Sequence, residues 1–350
     1  MSRFLTDKIQ KLNAYVPGEQ PKERKYVKLN TNESPFQPSK KAQNLAKEQL
    51  EQWMLYPDPD CKELLSAIAE KVGVDAENVI VSNGSDEVLN FAFMAYCDAK
   101  TPAVFPDITY GFYKVFADLN GVPKKELPLQ EDFTIDLAAY ERENGVIFIA
   151  NPNAPTGLSL PVSAIEKLVK ANPDRVVVID EAYVDFGGES CIPLTKKYDN
   201  LLVTQTFSKS RAMAGARLGF GVAGKAIIED LNRIKYSTNP YNVNRATAAA
   251  GVGSMQDQAY FQACCNRIIV NREWTAERLK EMGFTMTDSK ANFLFVRHEK
   301  VDGETLYLRL KEKGILVRHF SQERIKDYNR ITIGSRKEME ALIKAIGEIV

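Results

Sequence analysis

The sequence predicts an α/β fold: a large domain with a mainly parallel sheet flanked by helices, followed by a smaller α+β domain. Three observations carry this reading. Short apolar runs without polar alternation recur through the middle of the chain: Val79-Ile-Val, Ala103-Val-Phe, Val146-Ile-Phe-Ile-Ala, Val176-Val-Val-Ile and Leu201-Leu-Val. Such runs read as strands covered on both faces. Helical patterns separate several of them, as crossover connections require. The unusual polar residues gather where these runs end, which is where open parallel sheets place their ligands.

Taken in order, residues 1–40 are rich in turn formers, including Tyr15-Val-Pro-Gly and Lys28-Leu-Asn-Thr-Asn-Glu-Ser-Pro, and read as an arm. Residues 40–53 are amphipathic at helical spacing, ended by Tyr56-Pro-Asp-Pro-Asp. A second helix is predicted over 61–72, with Leu64, Leu65, Ile68 and Val72 on one side. The strand at Val79 breaks at Asn83-Gly84 and enters a helical pattern from Ser85. Pro106 ends the run at 103, Asn151-Pro-Asn-Ala-Pro-Thr-Gly the run at 146, and Asp180-Glu-Ala-Tyr the run at 176, which a helix over about 161–171 precedes. Leu201-Leu-Val-Thr-Gln leads to Ser208-Lys209, and Leu218-Gly-Phe-Gly-Val follows. A long helix is expected over 252–282. Beyond it, strands at Phe293, Ile315 and Arg330 and helices near 303–313 and 336–348 form the smaller unit. The expected division is therefore an arm at 1–40, a large domain at 41–255 and a small domain at 256–350.

Composition narrows the function. Lysine plus arginine equals aspartate plus glutamate, 46 against 46, so no basic field is present to collect nucleic acid or anionic lipid. The five cysteines are odd in number, lack CxxC spacing and occur with two histidines, His298 and His319. A disulfide framework or zinc site has little support, and a reduced cytosol fits. No secretory signal is readable, and no apolar run reaches membrane-spanning length; a cytoplasmic protein is expected.

The strand ends carry the chemistry. Gly84 opens a helix, so the backbone N–H groups of Ser85 and Asp86 point outward from its positive end. They suit a phosphate or, equally, a plain N-terminal cap. Asp180 closes an all-apolar strand, where an unpaired carboxylate is costly and calls for a cation. An internal lysine or arginine would serve, and so would the protonated ring nitrogen of pyridoxal phosphate (PLP). Lys209 lies between two serines just past another strand, where burial favours a neutral, nucleophilic amine. Arg217, eight residues on in a Gly/Ala-rich segment, offers a two-pronged phosphate contact. Tyr183 follows Asp180 by three residues and can donate to a cofactor oxygen; Tyr110 follows the strand at 103 and can lay its ring over a flat cofactor.

These residues together resemble the fold-type I PLP enzymes of the aspartate aminotransferase superfamily. The succession Asn-Pro-Asn-x-Pro-Thr-Gly, Asp-Glu-Ala-Tyr, Ser-Lys and Gly-x-Arg-x-Gly spans 151–219. Leu29-Asn-Thr-Asn-Glu-Ser-Pro, Tyr56-Pro-Asp-Pro, Asn83-Gly-Ser-Asp-Glu, Pro240-Tyr-Asn-Val-Asn-Arg, Gly314-Ile-Leu-Val-Arg and Arg330-Ile-Thr-Ile-Gly extend the likeness, to the histidinol-phosphate aminotransferases, over nearly the whole chain. The resemblance implies that Lys209 links the cofactor and Asp180 pairs with its ring nitrogen. It implies that Ser85, Asp86, Thr206, Ser208 and Arg217 hold its phosphate, that Tyr110 stacks on the ring, and that Tyr183 meets its phenolic oxygen. It further implies a homodimer in which Tyr56 reaches the neighbouring subunit's site, and substrate contacts from Tyr15, Arg318 and Arg330. One position departs: the family usually has asparagine directly before Pro-Thr-Gly, and here stands Ala154. The phenolic oxygen is then left to Asn153 or to Tyr183 alone.

The expected activity is transfer of an amino group between L-histidinol phosphate and 2-oxoglutarate. A threonine-phosphate decarboxylase and an aromatic amino acid aminotransferase are the nearest alternatives within the superfamily. An effector-sensing regulator would need a DNA-binding module and a basic face, and neither is readable. A nucleotide-binding dehydrogenase lacks its GxGxxG.

Overall fold

In the computed structural model, which describes residues 2–350, seven strands build the main sheet. They are β1 (Val79–Ser82), β2 (Ala103–Pro106), β3 (Lys124–Leu127), β4 (Val146–Ala150), β5 (Val177–Asp180), β6 (Leu201–Thr206) and β7 (Gly219–Ala223), in the spatial order β1-β7-β6-β5-β4-β2-β3. All neighbouring pairs are parallel except those that β7 makes with β1 and β6.

The lack of polar alternation has a direct structural cause. Alternate residues of the same strand feed two separate apolar clusters: Ile147, Ile149, Val177, Ile179, Leu201 and Val203 on one face, Val146, Phe148, Val178 and Leu202 on the other. Helices Lys62–Val72 and Val162–Ala171 cover the first face through Leu64, Ile68, Ile165 and Leu168. Helices Ser85–Tyr96, Phe112–Asn120 and Lys225–Thr238 cover the second through Val88, Leu89, Phe116, Ile227 and Leu231. β4, β5 and the first half of β6 therefore have no solvent face to mark with a polar residue.

A second sheet of four antiparallel strands, β8 (Phe284–Met286), β9 (Phe293–His298), β10 (Arg318–His319) and β11 (Asn329–Thr332), runs in the order β10-β11-β9-β8. With helices Gly303–Glu312 and Arg336–Gly347 it encloses its own apolar cluster, which also takes in Leu29, Ala154, Tyr183 and Phe186. The N-terminal arm is tied to this unit: Val27–Lys28 pairs in parallel with Ile315–Leu316, and Glu19 forms an ion pair with Lys311. Among the described residues no helix is long and apolar enough to cross a membrane.

Three local expectations change. The predicted helix over 252–282 is two helices, Arg245–Gln256 and Gln258–Glu281, divided at Asp257, whose carboxylate caps the second by accepting from the Tyr260 N–H. The strand expected at Ile315 joins the arm and not the four-stranded sheet. Strand β3, Lys-Lys-Glu-Leu, sits at the edge of the main sheet, where charged side chains reach water and leave no apolar run to read.

At Gly253, helix Arg245–Gln256 lies close against the backbone of helix Lys40–Glu48. A Cβ there would lie 2.8 Å from both the N and the Cα of Ala42. Alanine normally favours a helix interior over glycine by about 1 kcal/mol. Here Gly253→Ala is expected to destabilise instead, by about 1–3 kcal/mol, because backbone must move to admit the methyl. Denaturant unfolding at unchanged m-value measures it, and a neutral or stabilised variant would show that the two helices are not in hard contact.

Candidate active site

The polar residues singled out in the sequence meet along one edge of the main sheet. β1, β2, β5 and β6 all end there, and the reversal of β7 brings a fifth segment to the same place. Gly219, the first residue of β7, faces Ser82 across one ladder and Thr206 across the other. Arg217, two residues earlier, therefore returns between Gly84 and Ser208. No side chain fits at either glycine: a Cβ on Gly84, which has φ +79°, would stand 2.6 Å from the Arg217 guanidinium, and one on Gly219 would collide with the Ser85 backbone nitrogen.

Ser85, Asp86, Tyr110, Asp180, Tyr183, Thr206, Ser208, Lys209 and Arg217 all line one cavity of about 390 Å3. At its base Asp180 is 4 % exposed. Its carboxylate accepts from the Tyr113 hydroxyl at 3.0 Å, the Ala182 N–H at 3.2 Å and the Thr204 hydroxyl at 3.4 Å. No lysine or arginine among the described residues pairs with it, so the internal ion pair that the sequence left open does not form. Burial, partly offset by those three donors, raises its pKa from 3.8 to about 6.

At the opposite end, Arg217 pairs with Asp86 at 2.9 Å and reaches the Ser208 hydroxyl at 3.5 Å, while the Tyr110 hydroxyl donates to the other Asp86 oxygen at 2.7 Å. Arg217 holds φ at +54°, a left-handed conformation that non-glycine residues adopt at a cost of order 1–3 kcal/mol, and such strain collects at ligand sites. The first amides of helix Ser85–Tyr96 open toward the same corner.

Lys209 is half-buried between this cavity and a second of about 370 Å3, and lines both. Its Nζ donates to the Thr31 carbonyl at 3.3 Å and lies 5.9 Å from the Tyr183 ring centre. The second cavity holds Tyr15, Arg318 and Arg330. The two arginines are direct cross-strand partners in the β10–β11 ladder, and among the described residues neither forms an ion pair. Like charges set opposite one another in a ladder are destabilising, so this pairing calls for an anion. Arg330 donates to the Asn30 carbonyl at 3.0 Å, and its buried Nε has no partner.

The model of the family described as aminotransferase class I and II matches residues 24–346. The chain belongs to this family. It is 47% identical over 354 residues to the histidinol-phosphate aminotransferase of Brachyspira hyodysenteriae, which spans 100% of this chain and 99% of that one. It is 50% identical over 351 residues to that of Marinomonas sp., spanning 99% of each. In fold it matches the crystal structure of histidinol-phosphate aminotransferase from Sinorhizobium meliloti in complex with pyridoxal-5'-phosphate, with a TM-score of 0.90 at 23% identity, covering 100% of this chain and 99% of that one.

Two predicted residues stand apart in this aminotransferase. Asn153 does not line the cavity. Its side-chain amide donates to the Ile108 carbonyl and the Thr156 hydroxyl and accepts from Thr109, so it braces the loop after β4, while Ala154 faces both cavities. Both its amide hydrogens are thus engaged, one on the segment after β2 and one within the loop, and neither points into a cavity. Tyr56 is 78 % exposed and stacks on Tyr241 at 4.6 Å, away from both cavities of its own chain.

Two other residues were passed over. Tyr113, in the first turn of helix Phe112–Asn120, donates to the Asp180 carboxylate, while Tyr110, just before that helix, donates to Asp86. Asn32, within Leu29-Asn-Thr-Asn-Glu-Ser-Pro, donates to the Tyr183 hydroxyl at 2.9 Å.

The raised pKa of Asp180 has a definite sign. Between about pH 4 and pH 6 the folded ligand-free chain keeps a proton that the unfolded chain has released, so the burial cost grows across that window. It reaches up to about 3 kcal/mol at neutral pH. In the ligand-free protein Asp180→Asn is therefore expected to raise the melting temperature at about pH 7.5, with the gain shrinking toward pH 4. A thermal-shift series over pH checks it, and a variant less stable than its parent at neutral pH would contradict it.

Proposed function

We propose that the chain catalyses PLP-dependent transamination of L-histidinol phosphate with 2-oxoglutarate, giving imidazole-acetol phosphate and L-glutamate. The observation that carries this is the joining, at Lys209, of a cavity floored by a buried carboxylate without a cation to a second cavity holding two unpaired arginines. Near-half identity over the whole chain to histidinol-phosphate aminotransferases supports the choice of substrate.

The residues present fit the cofactor. Asp180 offers a buried negative charge to a protonated ring nitrogen, and that partner would repay its desolvation. The Ser85 and Asp86 amides, the Thr206 and Ser208 hydroxyls and Arg217 would hold the phosphate in the corner that Gly84 and Gly219 keep free of side chains. Tyr110 would lie over the ring, Tyr183 would donate to its phenolic oxygen, and Lys209 Nζ would link to it covalently. When bound, PLP supplies an electron sink for the pair released at the substrate's amine-bearing carbon.

The chain's own residues do the rest. Lys209 Nζ would take the substrate's α-proton and later return it, acting as base and then acid. Asp180 stabilises positive charge at the ring nitrogen throughout. Arg330 and Arg318 bind the phosphate of one substrate and a carboxylate of the other, since a guanidinium fork matches both. Tyr15, stacked on Phe112 at 4.2 Å, closes the second cavity from the arm.

The same reading makes the enzyme a homodimer and places it in the cytosol. Trp53, Met54, Leu55 and Tyr56 form a contiguous, largely exposed apolar stretch, larger than a lone monomer needs at its surface; with it buried, Tyr56 would reach the phosphate of the other subunit's cofactor. All five cysteines are free and buried, which suits a reducing compartment. Separate apolar clusters for the two sheets support the division into large and small domains near residue 255.

Purified Lys209→Ala is expected to lose the visible absorbance of lysine-linked cofactor and to turn over roughly a thousandfold or more slowly. Retained absorbance together with retained turnover would remove the assignment. Arg330→Gln should raise KM for both substrates by about tenfold or more. In a substrate panel the parent should prefer histidinol phosphate to phenylalanine and release no carbon dioxide; preference for phenylalanine or carbon dioxide release would overturn the substrate reading.

A further inference from the structure

The wall shared by the two cavities contains a buried polar chain that no role so far uses. Asn32 is 1 % exposed and holds φ at +55°. Its backbone N–H donates to the Thr332 hydroxyl at 2.9 Å, and that hydroxyl donates to Asn32 Oδ1 at 2.9 Å. Asn32 Nδ2 donates to the Tyr183 hydroxyl oxygen at 2.9 Å, and the Asn292 amide holds the Asn32 carbonyl at 3.0 Å.

The direction of each hydrogen bond follows from counting hydrogens. The Thr332 hydroxyl already accepts the Asn32 N–H, and Asn32 Oδ1 is its one acceptor among the described residues. That fixes the amide with its oxygen toward Thr332 and its NH2 toward Tyr183. The Tyr183 oxygen must then accept, and its single hydrogen has no acceptor among the described residues. Tyr183 lines both cavities beside Lys209, so this hydrogen is free for a ligand there. Lys209 Nζ lies 5.9 Å from the Tyr183 ring centre, Arg330 interacts electrostatically with Tyr183, and Asp180 is the buried acid of the first cavity.

We propose that Asn32 is a positioning residue: through Thr332 and its own amide it locks Tyr183 as a donor to an anionic phenolic oxygen, a task left undivided because Ala154 supplies no second donor. The inference rests on the PLP reading of the site. A donor on that oxygen draws off negative charge, so the proton on the neighbouring Lys209 nitrogen is held less tightly; without the donor it is held more tightly. Asn32 thus acts on the cofactor's ionisation at one remove, through the orientation of a phenol.

The decisive variant is Asn32→Asp. A carboxylate keeps the shape and the bond from Thr332 but accepts where the amide donated, and so turns the Tyr183 hydrogen away from the cavity. In the cofactor-loaded enzyme, the pH midpoint of the visible absorbance is expected to rise, and the dissociation constant for PLP, read by equilibrium dialysis, to weaken about tenfold. Tyr183→Phe should produce the same two changes. The double variant should be no worse than either single one, because both remove one donor. Adding Ala154→Asn to Asn32→Asp should lower the midpoint again by supplying a donor from the other side, a rescue that repair of packing alone does not give.

If Asn32→Asp does not fold, Thr332→Val, which frees the amide to flip, takes its place in the same cycle with Tyr183→Phe. An unchanged midpoint and affinity, or effects of the two residues that simply add, would overturn the proposal while the parent's lysine-dependent absorbance keeps the PLP reading intact. Absence of that absorbance from the parent would take both down.

Discussion

The constraint on which the site depends is a carboxylate at the end of a strand that has no wet face. β5 is buried on both sides, and Asp180, level with Ala150 and Thr204 on its neighbours, cannot reach bulk water. Three neutral donors soften the cost but do not cancel it, because none carries charge. The fold thus holds a binding demand: a cation must arrive from outside the chain, in the cavity above Asp180, for the charge to be fully stabilised. A protonated ring nitrogen would meet that demand and would be kept protonated by it, so the energy spent on burial would return as electronic control of the cofactor.

The reversal of β7 is the second structural decision. A wholly parallel sheet would have sent the segment after Lys209 to the far edge through a crossover. An antiparallel strand starts where its neighbour ends, so Arg217 lands between Gly84 and Ser208 within a few residues of Lys209. The price is steric crowding, absorbed by Gly84 and Gly219, and a left-handed backbone at Arg217. In the ligand-free arrangement Asp86 neutralises this arginine, with Tyr110 holding the same carboxylate. On the proposed function, an entering phosphate would compete with an existing ion pair that is partly exposed and correspondingly weak.

Much of this is legible in the sequence, and the illegible parts share a cause. The buried strands announce themselves because two-sided burial leaves only apolar residues, and the strand-end polar residues stand out against them. β3 is silent because an edge strand of Lys-Lys-Glu-Leu shows neither signal, and the break at Asp257 is silent because one capping carboxylate looks like any surface aspartate. Asn153 and Asn32 show the limit most clearly. Both are asparagines in turn-rich motifs, yet one divides its amide between Thr156 in its own loop and Ile108, 45 positions away, and the other spends it 151 positions away on Tyr183. Which partner an amide finds is set by tertiary packing, and local pattern does not encode it.

The same limit applies to the arginines. Separated by eleven intervening residues, Arg318 and Arg330 look independent in sequence, but the β10–β11 register sets them face to face. Two facing guanidinium groups without an acid between them repel, and burial of Arg330 sharpens the repulsion by lowering the local dielectric. A single carboxylate relieves part of that, whereas a phosphate dianion relieves more and has oxygens enough for both forks. On the proposed function, such a pair would grade anions by charge and breadth, admitting a dicarboxylate as the second substrate and favouring a phosphorylated one. Lys209, on the wall between this cavity and Asp180, is placed where, on the proposed function, the reacting carbon of either substrate would come.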